Sequence, residues 1–114
     1  MSETSSPMSM PRSDTDPVRL YAEFEALPGH EAEVAALVRQ LTDDVRAEPG
    51  CVVFDAWVRS ERPSEYVVFE IYRDRAAFEA HIGSPHSAVF NGRLGPLVAG
   101  GGSRLTWLSE VPQP

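Results

Sequence analysis

Between Val18 and Leu108 the apolar positions change period in the order strand, helix, strand, strand, helix, strand. Val18, Leu20, Ala22 and Phe24 alternate with Arg19, Tyr21, Glu23 and Glu25, which predicts a first strand. Leu27-Pro28-Gly29 breaks it. A helix is expected over residues 30–47, with Val34, Leu37, Val38, Leu41 and Val45 along one stripe. Glu31 and Glu33 in its first turn and Arg46 in its last suit the helix dipole, and Pro49-Gly50 ends it. Residues 51–59 and 65–72 read as the second and third strands, joined by a turn at Glu61-Arg62-Pro63-Ser64. A second helix is expected over 73–82, with Phe78 and Ile82 facing inward, until Gly83 stops it. Ser84 as an N-cap and Pro85 at the first helical position restart a helix through about Val98. Gly100-Gly101-Gly102 reads as a flexible connector into a last strand over 103–110. It lacks the Gly-Lys-Ser/Thr and the following helix of a phosphate loop.

The βαββαβ order predicts an α+β, ferredoxin-like fold with an antiparallel sheet. The strands are apolar on both faces: Val52, Val53, Phe54, Ala56, Trp57 and Val58 run almost unbroken, as do Tyr66 to Phe69 with Ile71 and Tyr72. Two helices can cover one face only. The other face calls for a partner, so the chain is expected to form a homodimer as a dimeric α+β barrel. Residues 1–16, rich in Ser, Thr, Pro and acidic side chains, read as a disordered leader before one domain over 17–111.

The net charge of -7, with ten arginines scattered and no lysine, argues against nucleic acid as a partner. No stretch reaches the roughly 20 apolar residues of a membrane span, so neither membrane nor secretory signal is expected and the location reads as cytoplasmic. The lone Cys51 excludes an intrachain disulfide and a cysteine zinc cage.

The punctuation is more specific than the element order. Val45-Arg46-Ala47-Glu48-Pro49-Gly50-Cys51 leads a helix into an apolar strand. Phe69-Glu70-Ile71-Tyr72-Arg73-Asp74 is followed by Ala76-Ala77-Phe78-Glu79-Ala80-His81 and then Ser84-Pro85-His86. Together these resemble the antibiotic biosynthesis monooxygenase (ABM) family of dimeric α+β barrels, across essentially Val18 to Leu108. The resemblance implies a small oxygenase that works without a resident cofactor. O2 would be the co-substrate and the substrate an aromatic polyketide, anthrone or quinol-type phenol, with externally supplied reduced flavin as an option. An isomerase or a non-oxygenase binding dimer of the same fold is the alternative. The family also contains haem-degrading enzymes, but Tyr72 stands where members often carry Trp, and Val68 where some polyketide oxygenases place Asn. The Asn-Trp-His set of the haem branch is therefore not evident. Phe78 stands where some polyketide oxygenases have Tyr.

Oxygenation of this kind asks the protein for a dry aromatic pocket, a base for a hydroxyl, and a donor for anionic oxygen. On strand three, Tyr66, Val68, Glu70 and Tyr72 share one face, expected to meet the helices. Val67, Phe69 and Ile71 share the other, expected to meet the partner. Glu70 is a candidate base, or else a strand-end charge paired with an arginine or with solvent. Tyr72 is a candidate donor, or a core tyrosine. His81 and His86 lie five apart across the Gly83-Ser84-Pro85 break, which can bring both to the pocket mouth. No third ligand at a sensible spacing accompanies them, so no metal site is expected. Trp57, Tyr66, Phe78, Phe90 and Asn91 are the expected substrate-binding wall, with Trp57, on the strand-two face shared by Cys51, Val53 and Asp55, lining either the cavity or the dimer seam. Cys51 reads as a small buried hydrophobe.

Overall fold

The computed structural model describes residues 13–113. The chain runs β1 (Val18–Glu25), α1 (Glu31–Arg46), β2 (Cys51–Arg59), β3 (Arg62–Tyr72), α2 (Arg75–Ile82), α3 (Pro85–Leu94) and β4 (Arg104–Leu108). Single 3-10 turns at Gly95–Leu97 and Ala99–Gly101 connect α3 to β4. The four strands form one antiparallel sheet in the order β2-β3-β1-β4, the ferredoxin-like arrangement. All three helices cover one face.

The alternation expected for β1 is fully realised: Val18, Leu20, Ala22 and Phe24 are buried under the helices. Val34, Val38 and Val45 of α1, Phe54 of β2 and Leu94 of α3 complete that core, and Leu37 and Leu41 pack against it. The first helix begins after Gly29, whose φ of +89° is a backbone state that glycine adopts without strain. Of the expected leader, residues 1–12 lie outside the described residues. Ser13 to Asp16 turn against the start of α2, where the Arg75 N–H donates to the Asp14 carbonyl at 3.3 Å.

Several boundaries differ from the sequence expectation. The β2–β3 turn is Ser60-Glu61, with Arg59 opposite Arg62, because Arg62 to Ser64 join the strand. α2 starts at Arg75, since Asp74 is its N-cap and accepts the Ala77 N–H at 2.8 Å. Ile82 closes that helix exposed rather than inward, because the chain turns at Gly83. α3 stops at Leu94, where Gly95-Pro96 converts it to a 3-10 turn. Gly100 and Gly101 have φ of +76° and +80° and fold the expected connector into a defined turn. The last strand spans five residues instead of eight.

The most consequential difference is a β-bulge at Val52. Cys51 pairs with Tyr72 and Val53 with Ile71, so one residue of β2 has no opposite number. The bulge moves Cys51 to the helix-side face and leaves Val53, Asp55 and Trp57 on the other. That outer face carries Tyr21, Val53, Val67, Phe69, Ile71 and Leu108, all only half-buried within a single chain.

Candidate active site

Between the helices and the sheet lies a cavity of about 330 Å³, within the size range of small-molecule sites. Its sheet wall comes from Leu20, Phe24, Phe54, Val68 and Glu70, and its helix wall from Phe78, His81, Phe90 and Asn91. Gly101 to Ser103 and Leu105 border one side. The wall is mostly apolar because every strand residue that lines it except Glu70 is apolar or aromatic.

Glu70 is 6% exposed. Tyr72, which is fully buried, donates its hydroxyl to Glu70 Oε1 at 2.6 Å. Two residues apart on one strand, both side chains point to the same face, so the pair follows directly from strand parity. No arginine reaches Glu70 among the described ion pairs. Burial pushes the Glu70 carboxyl up to about 7, with nearby Glu48 adding to the rise and the Tyr72 bond opposing it. Burial and the two glutamates hold the Tyr72 phenol far above its ordinary value, so it serves as a neutral donor.

The Tyr72 ring lies 4.7 Å from the His81 ring in a stacked arrangement and 5.4 Å from Phe78, edge on. Phe78 in turn meets Trp107 at 5.3 Å. His81 Nε2 lies 3.9 Å from Glu70 Oε1, and His81 Nδ1 lies 3.0 Å from Glu48 Oε2. His86 Nε2 is 2.5 Å from that same Glu48 oxygen. The break between α2 and α3 makes this convergence possible. Five residues apart on one straight helix, the two imidazoles would diverge by roughly 140°. Instead Gly83 ends α2, Ser84 caps α3, and the Ser84 and Ser87 hydroxyls both donate to the His81 carbonyl at 2.7 Å. Ring centroids of the two histidines then stand 6.5 Å apart.

Glu48 comes from the turn after α1. Pro49-Gly50 does more there than stop a helix: a Cβ on Gly50 would sit 2.3 Å from the Ala77 Cβ, so α2 rests directly on that turn. The Arg73 N–H also donates to the Gly50 carbonyl at 2.8 Å. That contact holds Glu48 beneath both histidines.

A family model described as antibiotic biosynthesis monooxygenase matches residues 17–93. The chain belongs to the ABM family. One ABM relative is Rv0793 of Mycobacterium tuberculosis, provisionally named a monooxygenase, 36% identical over 84 residues that span 74% of this chain and 82% of that protein. Its solved structure superposes with a TM-score of 0.78, covering 86% of this chain and 98% of the other. PA3566 of Pseudomonas aeruginosa gives 0.78 at 26% identity, over 88% of this chain and 99% of that one. A conserved protein of Methanosarcina mazei Go1, at 18% identity and a TM-score of 0.77 over 86% and 96%, shows the fold alone.

The ABM fold thus brings Glu70 on the sheet wall and Phe78, His81, Phe90 and Asn91 on the helix wall to one cavity, with Tyr72 buried behind Glu70 outside the lining. It places His86 behind His81, in contact with Glu48 rather than along the cavity lining. Tyr66 stacks on Phe24 at 5.1 Å and sits outside the cavity, toward the β2 edge. Trp57 is 64% exposed and on the far side of the sheet, where it pairs with Val67, and the bulge separates it from the face of Cys51. Sequence reasoning missed Glu48, Phe24, Phe54 and Trp107. β1 alternation placed Phe24 on the helix face, but nothing in the spacing tied Glu48 to histidines more than 30 positions away. Burial raises the Cys51 thiol above its ordinary range, next to Glu48 and Glu70, which fits a packing role rather than a nucleophile.

Proposed function

We propose that this chain is the protomer of a homodimeric monooxygenase that oxidises an aromatic polyketide, anthrone or quinol-type phenol with O2 in secondary metabolism. The observation that carries this reading is the Glu70 carboxylate in the wall of an aromatic-lined, 330 Å³ cavity, held by the hydroxyl of the fully buried Tyr72 behind it. Membership of the ABM family and the monooxygenase name of Rv0793 support the reaction class.

The chemistry needs little from the protein. Phe24, Phe78 and Phe90 provide surfaces for a flat ring. Glu70 accepts the substrate's acidic proton, and Tyr72 steadies the carboxylate. The resulting electron-rich anion gives one electron to O2, and the radical pair closes to a carbon–oxygen bond. The hydroperoxide then loses water, so one oxygen atom stays in the product as a carbonyl and the other leaves as water. Converting a ring methylene to a carbonyl supplies all four electrons that O2 accepts, and no further reductant is required. His81, on the cavity wall beside Glu70, is the donor for developing anionic oxygen.

The Glu70–His81 pair also suits proton transfer alone, which is the isomerase alternative. Oxygen uptake separates the two. Purified chain given an anthrone or a hydroquinone is expected to consume O2 above the autoxidation rate, and Glu70→Gln to lose about 10²-fold or more of that excess. No excess uptake across a broad phenol panel would overturn the oxygenase reading and leave the isomerase.

A further inference from the structure

Glu48, His81 and His86 each offer one ligand atom, and the three atoms lie within 4.8 Å of one another. They come from three places in the fold: the α1–β2 turn, the last turn of α2 and the first turn of α3. We propose that they form a binding site for a borderline divalent transition cation, Zn²⁺ or Co²⁺ in character, adjoining the substrate cavity through His81.

The donor set is two imidazole nitrogens and one carboxylate oxygen. That combination suits zinc, cobalt or nickel; magnesium and calcium want oxygen cages and copper(I) wants sulfur. Metal–ligand distances of about 2.0–2.2 Å place tetrahedral donors roughly 3.4 Å apart. His81 Nδ1 and Glu48 Oε2 are already at 3.0 Å, and His86 Nε2 and that oxygen at 2.5 Å, so a modest outward rotation of the glutamate makes room. Three protein ligands leave a position for water, and His86, with 27% of its side chain exposed, opens the path from solvent.

The surroundings are also those of a built site. The His81 backbone is fixed by the Ser84 and Ser87 hydroxyls, and its ring by Tyr72. With Nδ1 on a cation, the remaining proton sits on Nε2, the nitrogen 3.9 Å from Glu70. A metal-bound imidazole commonly turns its other N–H toward a carboxylate, and a shift of under about 1 Å would bring this pair within hydrogen-bond length. The net charge of -7 further favours cation capture.

The inference does not rest on the oxygenase reading, since binding is read without substrate. The 114-residue chain stripped with a chelator and titrated with Co²⁺ at neutral pH is expected to take up one ion per chain, with visible ligand-field absorption. Zn²⁺ is expected to displace the cobalt and to raise the melting temperature. Because losing even an outer-shell partner costs 10–100-fold in affinity, Glu48→Gln and His86→Ala are each expected to weaken binding by at least ~10²-fold. His30→Ala, which removes the separate surface pair of His30 with Glu33, should leave it unchanged. His86→Asp, which restores a ligand, keeps measurable binding and a folded circular dichroism spectrum. Absence of the cobalt band, or equal affinity of wild type and His86→Ala, overturns the site.

Discussion

Glu70 keeps an energetic cost that its neighbours offset only in part. Its folded-state carboxyl titrates near 7, against an ordinary value of 4.5. Between those values the folded chain holds a proton that the unfolded chain has released, so stability falls as pH rises through the window. Below about pH 4.5 the penalty is absent, and above about 7 it is complete, on the order of 3 kcal/mol. Tyr72, His81 and Glu48 face this group, and only the Tyr72 bond favours its ionised form. Denaturant titrations at pH 5 and pH 8 are expected to show Glu70→Gln gaining on wild type at the higher pH, with a flatter pH profile. Tyr72→Phe removes the donor at 2.6 Å while keeping the ring. Turnover of a phenolic substrate should drop about 10²-fold with little change in melting temperature; parallel losses of both would mark a core residue. At this scale the sequence was partly legible. Parity put Glu70 and Tyr72 on one face, because strand geometry is local. The partnership of Glu48 with two histidines was hidden because it is made by tertiary docking.

Turns and caps between the elements set the site's accuracy. The Gly50 turn is the seat of α2, and its closeness to Ala77 leaves no room for a methyl group. Gly50→Ala is expected to destabilise the chain by roughly 1–3 kcal/mol and to loosen Glu48 from both histidines. Pairing it with Ala77→Gly should recover part of that loss, a coupling that a double-mutant cycle by thermal or urea unfolding measures. Ser84 both caps α3 and secures the His81 carbonyl. Its replacement by Ala should cost about 1 kcal/mol in the same measurement. The punctuating residues were readable as starts and stops, since Ser-Pro, Pro-Gly and Gly act through local backbone preference. Their second task, bringing separate elements into contact, needs coordinates. Ile82 illustrates the limit: its helical spacing predicts an inward side chain, but the helix ends under it and leaves it at the surface.

For the molecule as a whole, one broad face of the sheet has no cover among the described residues. Phe69, flanked by Val67 and Ile71 on β3 and paired with Tyr21, sits near its middle. A half-buried apolar face of this breadth, with all the described helices on the opposite side, supports the proposed homodimer. Sedimentation is expected to show a dimer for wild type and monomers for Phe69→Arg, which puts a charge where the second sheet would pack. The overall architecture was the most legible level, because the order of periodicities and the doubled apolar faces are properties of long segments. The side to which Trp57 belongs was not, because the bulge at Val52 reverses the count ahead of it. That single surplus residue lets Cys51 meet Tyr72 on the helix side while Val53, Asp55 and Trp57 face solvent or a second sheet. Its identity is nearly free, since the side chain is exposed. Excising Val52 would set Cys51 and Val53 on successive rungs opposite Tyr72 and Ile71, so Phe54 should stay inside and Trp57 outside, and what this chain should lose is the local kink of β2.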